Sequence, residues 1–471
     1  MVLGALTILT VMLTEFQGAT SAELSSAVTQ RDALKAEYAA KSAINLARLL
    51  IAAEPTIRKP LSPLLTMAFR GAKAPQLPVW KFADRLLGAF NGEEGTQAFS
   101  GLTGVNMTEG RNLGLPGASF EVEIIDEDSK INVNAPARGG IMSQQRLAEQ
   151  LIGLMGGPQY DPLFEQKGPD GKHSDRRTIC GAIIDWTDPD QDANDCDPHG
   201  GGGAQLPPED SYYQRLDKPY GRANTAFDSL EELRLVRGVG DDFWATFVDP
   251  DPDSPNKRVV TAWGQGLINV NTANPQTLLA IVCSYALPGA ALCNNPEEIA
   301  NFLTMVGLAE GLLHGLPKFG SPKVFSQFVQ GKGPMFQMVS GFVSFQPVSL
   351  RSEAQLQKSI ATESKVFSIY ATGVVHSGKR ETRVRVHAVV DFRAAPPPGA
   401  EVPRDMSQVM AMGPGMGPGT LGPGPQGPKV PPTPGTPGQP DPNLPPGATP
   451  DALAGLFRPD PGGHFIYFRI E

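Results

Sequence analysis

Residues 1–54 constrain this chain more than any other stretch, because they read as one unbroken helix with an apolar start and a charged remainder. Met1 to Leu13 carries no charge. From Glu15 to Glu54 charges recur every turn or two, with no proline and with Gly18 as the weak point. Pro55 is expected to end the helix, since the residue before a proline is pushed out of the α region. At 1.5 Å per residue such a rod spans roughly 80 Å. Its apolar start is shorter than the roughly twenty residues that cross a bilayer. It also lacks the basic flank and the cleavage site of a signal peptide. Residues 1–15 therefore read as a truncated membrane anchor whose first turns are expected upstream of Met1. Residues 16–54 read as an amphipathic stem. Within it Ala43, Leu46, Ala47 and Leu50 follow i, i+3, i+4, i+7 spacing, a stripe that faces a core or a neighbouring helix. We assign that stripe to a partner interface.

The rest of the 471 residues allow further domains, and the formal charge of −9 argues against a nucleic-acid scaffold. The four cysteines fall in two close pairs, Cys180 with Cys196 and Cys283 with Cys293. Short loops between paired cysteines suit two local disulfides in an oxidising compartment, against four buried thiols in a reducing one. Alternation at Phe120–Ile125, Lys365–Val375, Thr382–Phe392 and His464–Glu471 predicts strands, the last returning across a linker to close a sheet edge. Between them, residues 141–350 read as helical. Helices are expected over Ser143–Met155, over Ser229–Arg237 behind a Ser229/Glu232 capping box, and over Pro275–Cys283. The phrase I-N-V-N occurs twice, at Ile131 and at Ile268, each time as an entry into a helix. Residues 395–462 are rich in proline and glycine, without apolar periodicity, and read as a linker.

The strongest chemical cluster runs from Asp185 to Asp197. So many carboxylates repel one another unless a cation stands among them. Oxygens at alternate positions, Asp188, Asp190, Asp192 and Asn194, can converge on one calcium ion, with Glu209 and Asp210 supplying the missing ligands. It is no EF-hand, because Ala193 stands where the turn glycine belongs and His199 where the bidentate glutamate belongs. Cys196 and His199 have zinc-like spacing, but no second pair matches it. Nothing marks a serine as a nucleophile, so an enzyme is not expected. Gly238-Val239-Gly240 resembles the turn of a helix-hairpin-helix, which in nucleic-acid binders offers backbone N–H groups to phosphate. Asp241 and Asp242 follow at once and would repel that backbone.

Taken in order, these stretches resemble the type II secretion minor pseudopilin family known as general secretion pathway protein K. The resemblance rests on Leu3–Phe16, Asp185-Trp186-Thr187-Asp188, Pro208–Tyr213, Pro219–Asn224, Ser229–Gly240, Ile268–Leu279 and Ile466–Glu471. It implies an α+β fold, with a pilin-like long N-terminal helix packed on a small antiparallel sheet. A large α-helical domain of helix-hairpin or SAM-like type is inserted in that sheet. The implied layout places the pseudopilin α/β part at 55–130, the insert at 131–350, further pseudopilin strands at 351–394, the linker at 395–462 and the C-terminal strand at 463–471. It implies a structural component of protein export that sits in the bacterial inner membrane by a single pass, with its bulk in the periplasm, and caps or initiates a pseudopilus. The implied partners are the other minor pseudopilins (I and J, then H), the major pseudopilin and secreted proteins, with no nucleic acid. Calcium is the implied cofactor, with Asp185, Asp188, Asp190, Glu209 and Asp210 as the implied ligands. The second reading is an exported helix-hairpin-helix nucleic-acid binder of the competence type.

Overall fold

A computed structural model describes residues 2–68, 74–91, 115–138, 140–165, 167, 171, 173–197, 208–252, 254–313, 315–396 and 460–471. Helix α1 spans Val2–Ala68. Its first turns are exposed, and it is long and apolar enough there to cross a membrane, as a single-pass anchor would. From Asp32 onward one face is buried, through Ala36, Ala39, Ala40, Ala43, Ile44, Ala47 and Ile51.

Two expectations about this helix are corrected. The helix does not stop at Pro55 but runs through Pro55, Pro60 and Pro63. Tertiary contacts hold the segment beyond the proline. The buried Glu54 carboxylate pairs with Arg58 one turn on at 3.2 Å and accepts the N–H of Leu77 at 2.8 Å. Arg58 in turn donates to the Ala74 carbonyl at 3.0 Å and pairs with Glu363 at 3.2 Å. The second correction concerns the partner stripe. Ala43 and Ala47 are 0 % exposed, and with the half-buried Leu46 and Leu50 they pack into the protein's own core. The spacing identified a buried face correctly, but what covers it is the chain's own sheet.

Strand β1 (Ala118–Asp126) leads straight into an acidic turn. Asp128 accepts backbone N–H bonds from Gln265, Lys365 and Val366 at 2.7, 2.7 and 3.1 Å. Asp126 accepts from the hydroxyls of Thr272 and Ser364, and Glu127 pairs with Lys130 at 3.1 Å. This turn ties the point where the chain leaves the sheet to the point where it re-enters, near Lys365. Burial, and then the neighbouring charge of Asp128, push Asp126 up to about 7.

Between those points lies the insert. In chain order it holds β2 (Ile131–Asn132), α2 (Ile141–Met155), α3 (Arg176–Thr187), β3 (Val260–Thr261), β4 (Ile268–Asn269), α4 (Pro275–Tyr285), α5 (Pro296–Leu313), α6 (Pro322–Val329) and β5 (Ile360–Ala361). The two I-N-V-N phrases are structurally equivalent. Each starts with a two-residue parallel bridge, β2 with β3 and β4 with β5. In each, the first asparagine accepts the N–H two residues on, at 2.8 Å for Asn132 and 3.0 Å for Asn269. In each, the second asparagine clamps a distant loop: Asn134 holds Phe227 through both its N–H and its carbonyl, and Asn271 holds Lys318 and Phe319. The helices that follow, α2 and α4, pack on one another. The segment Ser229–Arg237 was expected to be α-helical and is instead a 3₁₀ turn, Leu230–Leu235. Glu232 does reach back to the N–H groups of Asp228 and Ser229, but the hydroxyl of Tyr220 takes the Leu235 carbonyl at 2.7 Å, and Gly238 turns the chain with φ +82°.

After the insert come β6 (Val366–Ser377), β7 (Arg380–Asp391) and β8 (His464–Ile470). The sheet order is β1-β6-β7-β8, antiparallel throughout. Strand β8 thus closes the β7 edge, as the C-terminal alternation predicts. Arg48 of α1 fixes its start, donating to the carbonyls of Gly462 and Gly463 at 2.8 Å each and lying 4.3 Å over the Phe465 ring. The expected linker falls outside the described residues, apart from 395–396 and 460–462. On the sheet face away from α1, Trp263 of the insert lies 5.6 Å from the Tyr467 ring, so the sheet is covered on both sides.

Helix α1 passes directly against the sheet at Gly373 in β6. A Cβ there would collide with the backbone of Ala36 and Ala40. Gly373→Val should therefore cost about 3 kcal/mol or more of stability, read as a lower midpoint in denaturant melts. A second prediction concerns pH. Asp126 has a folded pKa above its unfolded value, so the native state holds more proton between about pH 4 and 7. Its contribution is most favourable below that window and is lost as pH rises through it. Comparing the pH–stability curves of wild type and Asp126→Asn should show the wild type losing more stability across the window. Parallel curves would count against it.

Candidate metal centre

Helix α3 is N-capped by Asp175, whose carboxylate accepts the N–H of Thr178 at 2.8 Å. It ends at Thr187, which places Asp185 on the last turn and Asp188 at the C-cap. The chain then folds back along the same helix. Gly181 permits this, because a Cβ at that position would strike the carbonyl of Asn194. Asn194 donates its N–H to Asp185 Oδ1 at 2.8 Å, and Cys196 is bonded to Cys180 of the helix. The Cα atoms of that pair are 5.8 Å apart, and those of the second pair, Cys283–Cys293, are 5.7 Å apart. Both disulfides are those the cysteine spacing suggests.

Asp185, Asp188 and Glu209 meet at the end of α3, each offering an oxygen within 4.8 Å of the others. All three are buried. Asp188 Oδ2 accepts from Gln144 Nε2 at 3.0 Å, while Asp188 Oδ1 and Glu209 Oε1 have no hydrogen-bond donor among the described residues, and Glu209 Oε2 lies against Arg222 Nη2. Burial, opposed by the Asn194 N–H and reinforced by the neighbouring carboxylates, pushes Asp185 up to about 8. Burial and the charge of Asp190 push Asp188 up to about 6. Burial also raises Glu209 to about 7, against the pull of Arg222. Three buried carboxylates raised together carry a standing cost that a cation would relieve.

The geometry narrows the residue set expected from sequence. The alternate positions do not converge. Asp190 turns its oxygen onto the N–H of Asp192 at 3.0 Å, and Asn194 turns its own onto the N–H of Cys196 at 2.9 Å. Asp192 is exposed, and Asp210 pairs with Arg222 at 2.9 Å. A polar side chain two residues before an N–H closes a local turn, and these residues spend their oxygens that way. His199 lies outside the described residues. Sequence reasoning missed Arg222 as a member of this site, although the Pro219–Asn224 motif contains it. Its charge stands beside the carboxylates only in three dimensions.

The donor set is all oxygen, which suits a hard cation, and buried oxygens without donors fit that use. Asp185, Asp188 and Glu209 would hold the ion. The helix-hairpin turn offers no competing anion site: Asp241 opens the short helix after Gly240 and pairs with Arg234 at 2.6 Å. The nucleic-acid reading is not favoured.

Because the Cys180–Cys196 bond closes the loop that carries the cluster, Cys196→Ser should cost about 2–3 kcal/mol. It should also free Asp185 and Asp188 to reorient. Denaturant melts of the variant check the cost, and an unchanged midpoint would contradict it.

Residues 129–247 match the family described as Type II secretion system (T2SS), protein K. A curated relative, the Type II secretion system protein K of Aeromonas hydrophila, is 33 % identical over 107 residues. That stretch covers 23 % of this chain and 28 % of the relative, so the chain spans well under a third of the relative it matches. Among solved structures, a chain of the GspK-GspI-GspJ complex from the enterotoxigenic Escherichia coli Type 2 Secretion System is similar at 18 % identity and TM-score 0.34. That similarity covers 59 % of this chain and 76 % of that one. The matched residues include Asp185, Asp188, Glu209 and Arg222, so the part of the insert that holds the candidate site is the part similar to protein K of type II secretion systems.

Proposed function

We propose that this protein is a structural minor pseudopilin, anchored in the inner membrane with its head in the periplasm, that forms or initiates the tip of a type II secretion pseudopilus. The observation that carries this reading is the large insert between two strands of the sheet. A pilin-type subunit stacks by burying its long helix among others. Here the insert lies between β1 and β6 in the chain, and its Trp263 meets Tyr467 on the sheet face away from α1, bulk that on this reading leaves no room for a subunit layered above. Such a subunit fits an end better than a shaft. A scaffold role also accords with a chain in which the sequence marks no nucleophile. The helix-hairpin or SAM-like character of the insert belongs to the same reading.

The partners we propose are the minor pseudopilins I and J, then H, with the major pseudopilin below them and secreted proteins above. Their contact surface is not the buried stripe but the opposite face of α1. Leu34, Tyr38 and Leu49 are 55, 60 and 63 % exposed there, and Phe468 and Ile470 of β8 flank them at 45 and 46 %. Apolar side chains left in water at such spacing gain by burial against a neighbouring helix. Tyr38→Glu with Leu49→Glu should abolish co-purification with the partner pseudopilins and block secretion while leaving the melting midpoint unchanged. Normal co-purification would reject this face.

We propose calcium as the ion held by Asp185, Asp188 and Glu209, where it would supply structural cross-linking of α3 to the turn at Glu209. An ion that binds the folded state alone stabilises it by RT ln(1+[L]/Kd), about 2.7 kcal/mol at a hundredfold excess over Kd. EDTA should lower the melting temperature of the purified protein, and Asp188→Ala should remove most of the difference between EDTA and calcium. No response to EDTA would end the calcium reading.

A further inference from the structure

We propose that Arg222 is a resident counter-charge of the carboxylate cluster: it holds the cluster together when no ion is bound and sets how tightly a divalent cation binds. This rests on the calcium reading above and goes beyond it by assigning a role to a residue that is not a ligand.

The Arg222 side chain is 1 % exposed. Each of its nitrogens has a separate task. Nε donates to Asp210 Oδ1 at 2.9 Å, Nη1 donates to the backbone carbonyl of Asp185, and Nη2 forms an ion pair with Glu209 Oε2. One guanidinium therefore joins the end of α3 to the turn Glu209–Ser211, two segments separated in the chain by residues 188–208. The planar fork of arginine makes such a three-way contact.

The charges do not cancel. Ionised Asp185, Asp188 and Glu209 carry three negative charges, and Arg222 supplies one positive that it also shares with Asp210. The negative charge that remains suits a divalent ion. The oxygens without donors, Asp188 Oδ1 and Glu209 Oε1, are also those the arginine leaves untouched. An ion taking them would share Glu209 with Arg222 and meet its repulsion. The arginine thus stabilises the ion-free site and weakens the ion-bound one. A strut without electrostatic consequence predicts the reverse for binding, because losing it would scatter the ligands.

The test is titration of calcium chloride into the full chain in detergent by calorimetry, with melting in EDTA alongside. Arg222→Gln should melt lower in EDTA yet bind calcium about tenfold more tightly, since one repelling charge has gone. Arg222→Lys keeps the charge but loses the fork, so it should melt lower in EDTA with a Kd within about twofold of wild type. An Arg222→Gln Kd equal to or weaker than that of wild type overturns the proposal. Should Arg222→Gln fail to fold, Arg222→Lys decides: a Kd within about twofold supports the proposal, and a tenfold weaker one overturns it. A wild-type chain that binds no calcium overturns the calcium reading and this proposal with it. The two failures are told apart by the wild-type titration alone.

Discussion

Three carboxylates from two distant segments, Asp185, Asp188 and Glu209, are buried within 4.8 Å of one another, and the insert is arranged around the cost of keeping them there. Charge withdrawn from water is tolerated only beside opposite charge or with its proton retained. The chain answers with Arg222 on one side and with raised carboxyl pKa values on the other. Loop closure does the rest. Gly181 lets the returning strand of chain lie against α3, the disulfide to Cys196 fixes it, and the Asn194 N–H orients Asp185. A loop held at so many points has few ways to separate its acids, so relief comes from a positive partner.

The same economy appears where the insert meets the sheet. Asp126, Glu127 and Asp128 form a second buried acidic turn, but here nearly every oxygen has a donor from the insert or from the re-entering chain. It serves as a hinge pin between the two bodies rather than as an ion site. The contrast between the two acidic groups lies in satisfaction, not in composition. From this pin the insert is built with two copies of one device, the I-N-V-N phrase, each anchoring a loop through its second asparagine.

Much of this was legible in the sequence. Strict alternation gave β6, β7 and the returning β8, because a sheet with two different faces writes a period of two into the chain. Cysteine spacing gave both disulfides, since short loops leave few alternatives. Asp185, Asp188 and Glu209 were among the candidate ligands. What sequence could not supply was the identity of the surface covering each face. Ala43 and Ala47 show a buried stripe, but periodicity does not say whether a partner or β6 buries it. Pro55 is a helix breaker locally, yet Glu54 and Arg58 bridge it through contacts with Leu77, Ala74 and Glu363 that lie far off in the chain. Asp190 and Asn194 look like ligands in a row, but each closes its own turn, a competition that spacing alone leaves open.

A long helix with an apolar outer face, joined to an insert whose residues 129–247 match the protein K family, fits the proposed role of a subunit that neighbours join from the side and from below. In the proposed role, the insert would obstruct addition from above. The central claim is therefore positional, and the most direct measurement is electron microscopy of isolated pseudopili labelled with an antibody against the insert. The account predicts label at filament ends alone, about one site per filament. Label spaced along the shaft would contradict it.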